Sequence, residues 1–265
     1  MNSRFTILLF AQLGLLSVSI AGADPDGRQI AENVFNRDDG SHVSQSLTMI
    51  LTDRIGVVRR RQARLYRAEG ERVQRSAIVI TAPATLQGTG FITFDYQGEN
   101  REDDRWLYLP SLRRQRRISA ADRGAYFLGT DFSYEDIKER TRLSLDDYDF
   151  RRLDRPADEH RVWIEARPRS SRIAQELGYS RIEAIVDTTH WMYRHLVYWD
   201  IAGNRLKEIE LDDLEVVDGV LTARTIRCRN TKTGHSTTFL FADIDYSTPI
   251  PDSMFTTAAL RRGAL

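Results

Sequence analysis

Hydrophobic residues first follow a helical period and then, for most of the chain, the period of a β-strand. Asp26 precedes four apolar residues at helical spacing, Ile30, Ala31, Val34 and Phe35. An aspartate in this position is a favoured helix N-cap, and the apolar stripe would lie on one face. The chain therefore begins its ordered part with a short amphipathic helix.

From residue 47 onward, apolar and polar residues alternate in short runs separated by turn residues. Alternation of this kind predicts half-buried strands, and a spacing of about ten residues is typical of antiparallel sheets. The predicted strands are 47–52, 63–66, 77–81, 91–96, 105–109, 143–150, 161–166, 182–187, 191–199, 205–211, 220–229 and 237–245. Ala202, Gly203 and Asn204 predict a hairpin turn between two of them. Helices are predicted at 133–140, which Ser133 and Asp136 would cap, and at 171–177, before Gly178.

The N-terminal residues have the form of an export signal. Arg4 precedes an apolar run over 5–20, and Ala21, Gly22 and Ala23 supply small residues for cleavage. The run is shorter than the roughly 20 apolar residues that a membrane span needs. We expect residues 1–23 to be a signal peptide cleaved after Ala23. No cysteine lies near this site to accept a lipid anchor, so residues 24–265 would form one exported domain.

Composition limits the classes of partner. The 265 residues include 38 Lys plus Arg and 38 Asp plus Glu, and 41% are hydrophobic. A balanced charge disfavours nucleic-acid binding, and the single Cys228 excludes an internal disulfide. The prediction is a monomer with a substantial core and no nucleic-acid partner.

Catalytic and metal-binding motifs are missing from the sequence. The five histidines show no H-E-x-x-H spacing and have no cysteine partner, and there is no G-x-S-x-G motif. Paired aspartates such as Asp146 and Asp147 are adjacent, which on a strand would point their carboxylates apart. We therefore expect no enzyme activity, no cofactor and no metal. A hydrolase whose residues come from distant strands remains a third hypothesis.

Residues 105–137 are the most distinctive part of the chain. An aromatic segment, WLYLP, is followed by a basic segment, LRRQRRIS, and then by FLGTDFSYEDI. This succession resembles the signature of the outer membrane lipoprotein-sorting protein family, which is related to the LolA lipoprotein carrier. A strand ending at Asp200, then Gly203, then a strand with Lys207 also resembles that fold.

The resemblance implies a mainly β fold, an unclosed antiparallel barrel of about 11 strands with a few helices covering an apolar cavity. It implies a periplasmic carrier that binds acyl chains of lipoproteins or lipids and moves them toward the outer membrane. Its partners would be an inner-membrane exporter of the resistance-nodulation-division type or an outer-membrane acceptor. The alternative is a periplasmic module of the same fold that senses lipid or lipoprotein.

Two groups of residues are candidates for the site. Trp106 and Tyr108 share one strand face, and we expect them to line the cavity together with further apolar residues, Leu47, Met49, Phe127, Phe132 and Tyr134. An ordinary protein core would use the same residues. Arg113, Arg114, Arg116 and Arg117 would form a docking surface for a headgroup or partner, because guanidinium groups form forked hydrogen bonds. In a chain with 35 Arg and 3 Lys, these arginines are also consistent with a solvated surface.

Overall fold

The computed structural model describes residues 26–96, 101–139 and 142–262. Its principal element is one antiparallel sheet of thirteen strands. The strands are β1 (His42–Thr52), β2 (Val58–Glu69), β3 (Val73–Ala82), β4 (Gly90–Tyr96), β5 (Asp104–Leu109), β6 (Arg114–Arg117), β7 (Tyr148–Leu153), β8 (Arg161–Pro168), β9 (Tyr179–Asp187), β10 (Met192–Asp200), β11 (Arg205–Val217), β12 (Val220–Asn230) and β13 (Ser236–Asp245).

The sheet consists of two meanders that meet at β1 and β13. The strand order is β6-β5-β4-β3-β2-β1-β13-β12-β11-β10-β9-β8-β7, so every neighbouring pair except β1 and β13 is consecutive in sequence. The two edge strands are β6 and β7, and the sheet is not closed into a barrel. The predicted fold class, a mainly β, LolA-like unclosed barrel, is confirmed. The thirteen strands are one more than the twelve predicted from the alternation, because the basic segment contributes β6, and exceed the about eleven that the resemblance implies.

Four short helices accompany the sheet: α1 (Gly27–Phe35), α2 (Tyr134–Glu139), α3 (Ser171–Leu177) and α4 (Thr257–Arg262). Asp26 caps α1 as predicted, because its carboxylate accepts the Gln29 amide at 2.8 Å. Helix α1 packs on β7, and a Cβ at Gly27 would lie 2.4 Å from the Arg151 carbonyl carbon. Glycine is therefore required for this close approach. The signal peptide predicted over 1–23 lies outside the described residues.

One face of the sheet, here called the inner face, carries the main core. It is defined by the β1 side chains Val43, Gln45, Leu47, Met49 and Leu51, all of them buried. The chain between β6 and β7, residues 118–139 and 142–147, packs onto this face and is called the plug. Its apolar residues join Leu47 and Met49 in one hydrophobic cluster: Ile118, Phe127, Phe132, Tyr134, Ile137 and Leu143. The plug thus runs from one edge strand, β6, to the other, β7, across the inner face of the sheet.

The opposite, outer face has a smaller cover made by the C-terminal segment. Phe255 and Leu260 join a buried cluster with Ala77, Val79 and Ile92 on β3 and β4. A Cβ at Gly90 would lie 2.2 Å from Leu260 Cδ2, so the absence of a side chain there lets the segment lie against the sheet.

Candidate ligand-binding site

A cavity of about 280 Å³ lies at the end of the sheet where α1 meets the start of β1. Its wall is formed by α1, the plug and the inner face, and a side opens to solvent. The apolar side chains that line it come from both meanders: Phe35, Val43, Leu143, Leu145, Met192, Leu221, Ala223, Ile226 and Phe241. Pockets for small ligands typically have volumes of about 300 to 1,000 Å³ and an apolar lining, so this cavity has the character of a small ligand site.

A second cavity, of about 20 Å³, continues the first one deeper along the inner face. The two share Arg142, Leu143 and Ile226 as lining residues. The deeper wall is mostly apolar and aromatic, and includes Phe132, Ile137, Tyr193, Leu196, Tyr198, Ile209 and Phe239. Together the cavities mark an apolar path from the solvent toward the core.

Three arginines surround one carboxylate at the mouth of the large cavity. Arg142 and Arg67 both contact Asp39 Oδ1, at 2.5 and 3.2 Å. Arg37 donates to main-chain oxygens, those of Leu221 at 2.9 Å and Asp38 at 3.2 Å. Burial lowers the pKa of Arg37; the negative charge of Asp39 opposes this effect, and the positive charge of Arg142 adds to it. The mouth therefore holds more positive than negative charge.

A second charged group borders the cavity at β4. Burial raises the pKa of Asp95 to about 6, although the nearby Lys138 ammonium lowers it. Burial also disfavours the charged form of Lys138, but Glu135, Asp95 and Asp103 together raise its pKa. The distances from Lys138 Nζ to Glu135, Asp103 and Asp95 oxygens are 2.9, 2.8 and 3.8 Å. Lys138 is thus fully compensated, unlike the arginines at the mouth.

The segment DFSYED holds the plug to the sheet through buried polar contacts. Asp131 accepts from the Thr237 hydroxyl at 2.7 Å, and its amide donates to the same hydroxyl at 3.0 Å. Ser133 and Asp136 form the predicted reciprocal cap of α2, with distances of 2.6 and 3.1 Å. Sequence reasoning predicted this cap but did not assign the segment its anchoring role.

Lys207 lies at the centre of this anchor and is completely buried. Its ammonium pairs with the Asp136 carboxylate, donates to the Tyr179 hydroxyl at 2.7 Å, and lies 4.9 Å from the Tyr198 ring centre. Burial alone would lower the pKa of Lys207, but the Asp136 charge raises it to about 12. In the sequence, this residue was indicated only by the resemblance to the LolA-type fold of a strand ending at Asp200, then Gly203, then a strand that contains Lys207.

Glu135, also in α2, holds this helix in place through ion pairs with three cations. Arg105 lies 2.7 Å and Lys138 2.9 Å from its carboxylate, with Arg123 at 3.9 Å. Burial would raise the pKa of Glu135, but these three cations lower it to about 2. Arg123 extends the contact to Asp147 at 2.6 Å, so the two ends of the plug are joined by charge.

The predicted cavity residues separate into two sets. Leu47 and Met49 lie on the inner face, as do Phe127, Phe132 and Tyr134. The rings of Phe127 and Tyr134 lie 5.4 and 5.2 Å from that of Phe91. Phe132 lines the smaller cavity, and the other four residues line neither of the two cavities. The plug packs against Leu47 and Met49 in this structure, and their role in ligand binding stays a prediction.

Trp106 and Tyr108 lie on the outer face of the sheet, so the expectation that they share the inner face with Leu47 and Met49 is corrected. Tyr108 packs against the outer cluster that contains Leu260. Trp106 is paired with Ile92, another member of that cluster, and directly paired residues share a face of the sheet. The neighbouring Leu107 points into the inner core instead. Both faces of β5 are covered, and the aromatic one is covered by the C-terminal segment.

The four predicted docking arginines are exposed, at an edge of the sheet. Arg114, Arg116 and Arg117 belong to β6, and Arg113 precedes it with a left-handed backbone, φ 47°. Arg116 pairs with Asp122 at 3.0 Å and Arg117 with Asp104 at 2.9 Å. None of the four lines either of the two cavities.

Two further properties concern the residues that the structure describes. No group of three or more His, Cys, Asp or Glu side chains among them is placed to hold a metal ion. No helix within the same ranges has the length and apolar character to cross a bilayer.

Comparisons with known proteins agree with this architecture. A family model described as "Uncharacterized protein" matches residues 72–262, whereas no curated protein matches the chain. The structure is similar to a putative outer membrane lipoprotein-sorting protein domain from Vibrio parahaemolyticus, with a TM-score of 0.79, 25% identity, and coverage of 89% of this chain and 98% of that one. A DUF1329 family protein from Desulfovibrio piger has the same TM-score and identity, with coverage of 88% and 97%.

A third solved structure shares the fold alone. It is a LolA superfamily protein from Nitrosomonas europaea, with a TM-score of 0.65, 16% identity, and coverage of 89% of this chain and 99% of that one. The chain belongs to the family matched over residues 72–262, and its structural relatives confirm the predicted relationship to LolA-like outer membrane lipoprotein-sorting proteins.

Proposed function

We propose that this protein is a periplasmic carrier that binds the acyl chains of a lipid or lipoprotein between the inner face and the plug. The observation that carries the proposal is the cavity itself. Its apolar lining and charged mouth lie on the inner face of a LolA-like sheet, and a smaller apolar cavity continues it inward. A site that is apolar at depth and polar at its opening suits an amphiphile.

Burial of methylene groups would supply the affinity. Each buried methylene contributes about 0.8 kcal/mol, so roughly six of them would contribute about 5 kcal/mol. Val43, Met192 and Ile226 provide apolar surface from three strands. An acyl chain held there would be shielded from water, as transport between two membranes requires.

A longer chain would follow the apolar path past Leu143 and Ile226 into the smaller cavity. Residues 142–147 of the plug form no helix or strand, so a shift of this part breaks no sheet ladder. The polar anchors at Asp131 and Asp136 hold the preceding part of the plug in place. Residues 142–147 are held by the contacts of Arg28 with the Leu145 oxygen, at 2.6 Å, and of Arg123 with Asp147, so a longer chain would have to displace these contacts.

The carrier would exchange its ligand with membrane partners and would not transform it chemically. An exporter of the resistance-nodulation-division type or an outer-membrane acceptor would approach an exposed surface, and Arg113 to Arg117 offer one at the sheet edge. Such a charged edge would steer association.

The test uses delipidated full-length mature protein and a fluorescent fatty acyl probe. Ala223 lines the large cavity, so Ala223→Phe should fill it. Excluding two methylenes would weaken probe binding about tenfold, at about 0.8 kcal/mol each. Ala202→Phe is the matched control, because Ala202 is exposed in the hairpin turn, and its binding should equal that of the wild type. Failure of the delipidated wild type to bind any acyl probe would refute the carrier function.

A further inference from the structure

We propose that the cavity mouth binds the phosphodiester of an anionic glycerophospholipid through Arg37 and Arg142, beside the buried Arg67. The Arg67 guanidinium already donates to the Asp39 carboxylate and to the main-chain oxygens of Asp39 and Gly40. This inference rests on the proposed function and specifies its ligand class, a free phospholipid. The three guanidinium groups and the apolar lining belong to the same cavity. Headgroup and acyl chains of one molecule would therefore be bound at once.

The charge balance at the mouth is the first argument. Asp39 is the one carboxylate that the described structure places in contact with these arginines, and Arg142 and Arg67 contact the same oxygen of it. Three positive charges thus face one negative charge. Over the whole lining, five cationic side chains (Arg28, Arg37, Arg67, Lys138 and Arg142) face three anionic ones (Asp39, Asp95 and Asp146).

The excess positive charge is localised at Arg37, Arg67 and Arg142 and is not spread over the whole lining of the cavity. Arg28 pairs with Glu32 at 2.7 Å, and Lys138 has three carboxylates around it. Arg37 donates to carbonyl oxygens of the main chain among the described residues. Arg37 is partly buried and lies near other positive charges, and both effects disfavour its charged form. An anion bound next to Arg37 would stabilise that charged form.

The geometry favours phosphate as the anion. Guanidinium groups form forked hydrogen bonds to the oxygens of phosphate, and charge-assisted bonds of this kind are stronger than neutral ones. Arg142 donates to the main-chain oxygen of Arg37 at 3.5 Å, which holds the two residues as neighbours. Val43, Ala223 and Phe241 lie in the same wall, so the glycerol esters would lie between the arginines and the apolar lining.

The experiment compares ligands that share their acyl chains. Calorimetry on delipidated full-length mature protein would use dioctanoyl phosphatidylglycerol, dioctanoylglycerol and inorganic phosphate. Because hydrogen bonds to charged groups contribute more to affinity than neutral ones, the phospholipid should bind about tenfold or more tightly than the neutral lipid. Added salt should reduce this preference, since the cavity is open to solvent.

Arginine variants test which residues cause the preference for phosphatidylglycerol over dioctanoylglycerol. Arg37→Gln should weaken phosphatidylglycerol binding about tenfold and leave dioctanoylglycerol binding unchanged. The matched control is Arg60→Gln, because Arg60 is exposed on β2 outside the cavity. Arg142→Gln provides a second variant should Arg37→Gln lower the melting temperature strongly.

The outcomes distinguish this inference from the carrier function. Equal affinity for the two lipids, or a preference that survives in both arginine variants, would overturn the headgroup site and leave an acyl carrier. Inorganic phosphate bound as tightly as phosphatidylglycerol would show a site for free anions and overturn it as well. If neither lipid binds, the carrier function fails together with it.

Discussion

The strongest prediction concerns Lys207, whose ammonium is buried completely against Asp136. Lys207→Met keeps the length and apolar stem of the side chain but removes the charge. Asp136 would then be a buried carboxylate with hydrogen bonds from Tyr179 and the Ser133 amide and no cation in direct contact. Breaking a buried ion pair in this way costs about 3 to 5 kcal/mol. Because two hydrogen bonds to Asp136 remain, we expect the free energy of unfolding to fall by about 3 kcal/mol.

Urea unfolding monitored by circular dichroism would measure this loss. The pKa of Lys207 is raised from 10.5 to about 12, so the stabilisation is present below 10.5 and is lost only as pH rises through about 12. The wild type should therefore keep this contribution throughout the neutral range.

Two controls sharpen the test. Adding Asp136→Asn to Lys207→Met should recover part of the loss, because a neutral amide is less costly to bury than an unpaired carboxylate. Arg227→Gln breaks an exposed pair with Asp212 and should cost less than about 1 kcal/mol. A loss of less than about 1 kcal/mol from Lys207→Met, with no recovery in the double variant, would refute the proposed anchor.

Two further predictions concern the plug and the edge strand. The pKa of Glu135 is lowered from 4.5 to about 2, so Glu135→Gln should destabilise the protein by about 3 kcal/mol at neutral pH. The difference should shrink as pH falls from 4.5 to about 2, and a difference independent of pH in acid titrations would contradict the network. The second variant replaces the four exposed arginines of the sheet edge by Gln: Arg113, Arg114, Arg116 and Arg117. Its free energy of unfolding should change by less than about 1 kcal/mol. A smaller fraction of this variant than of the wild type should sediment with phosphatidylglycerol vesicles. Unfolding of that variant, or unchanged vesicle binding, would exclude a docking role.

The strands could be predicted because alternation is a local property of the sequence. All twelve predicted strands correspond to strands of the sheet, and the turn at Gly203 and the cap of α1 were also correct. Strand β6 was missed because its four residues, RQRR, are all polar and show no alternation. The predicted strand at 143–150 starts instead at Tyr148, since Leu143 and Leu145 belong to the wall of the cavity.

The site was harder to predict because it depends on which distant segments meet. Alternation shows that Trp106 and Tyr108 share a face, but the side on which the C-terminal segment packs decides which face that is. The cavity arginines come from α1's end, β2 and the plug, and no spacing in the sequence brings them together. The family resemblance indicated the aromatic and polar plug but not its anchoring by Lys207.

The pairing of β1 with β13 has a consequence for the order of folding. Every other strand pair joins neighbours in the chain and closes a short loop, whereas pairs such as Met49 with Phe239 join opposite ends of the domain. Contacts of high sequence separation carry a larger loop-closure entropy and slow folding. Each meander can therefore assemble from local hairpins before β1 pairs with β13. The late step in refolding should be the pairing of β1 with β13, which also completes the wall of the large cavity that Val43 and Phe241 line.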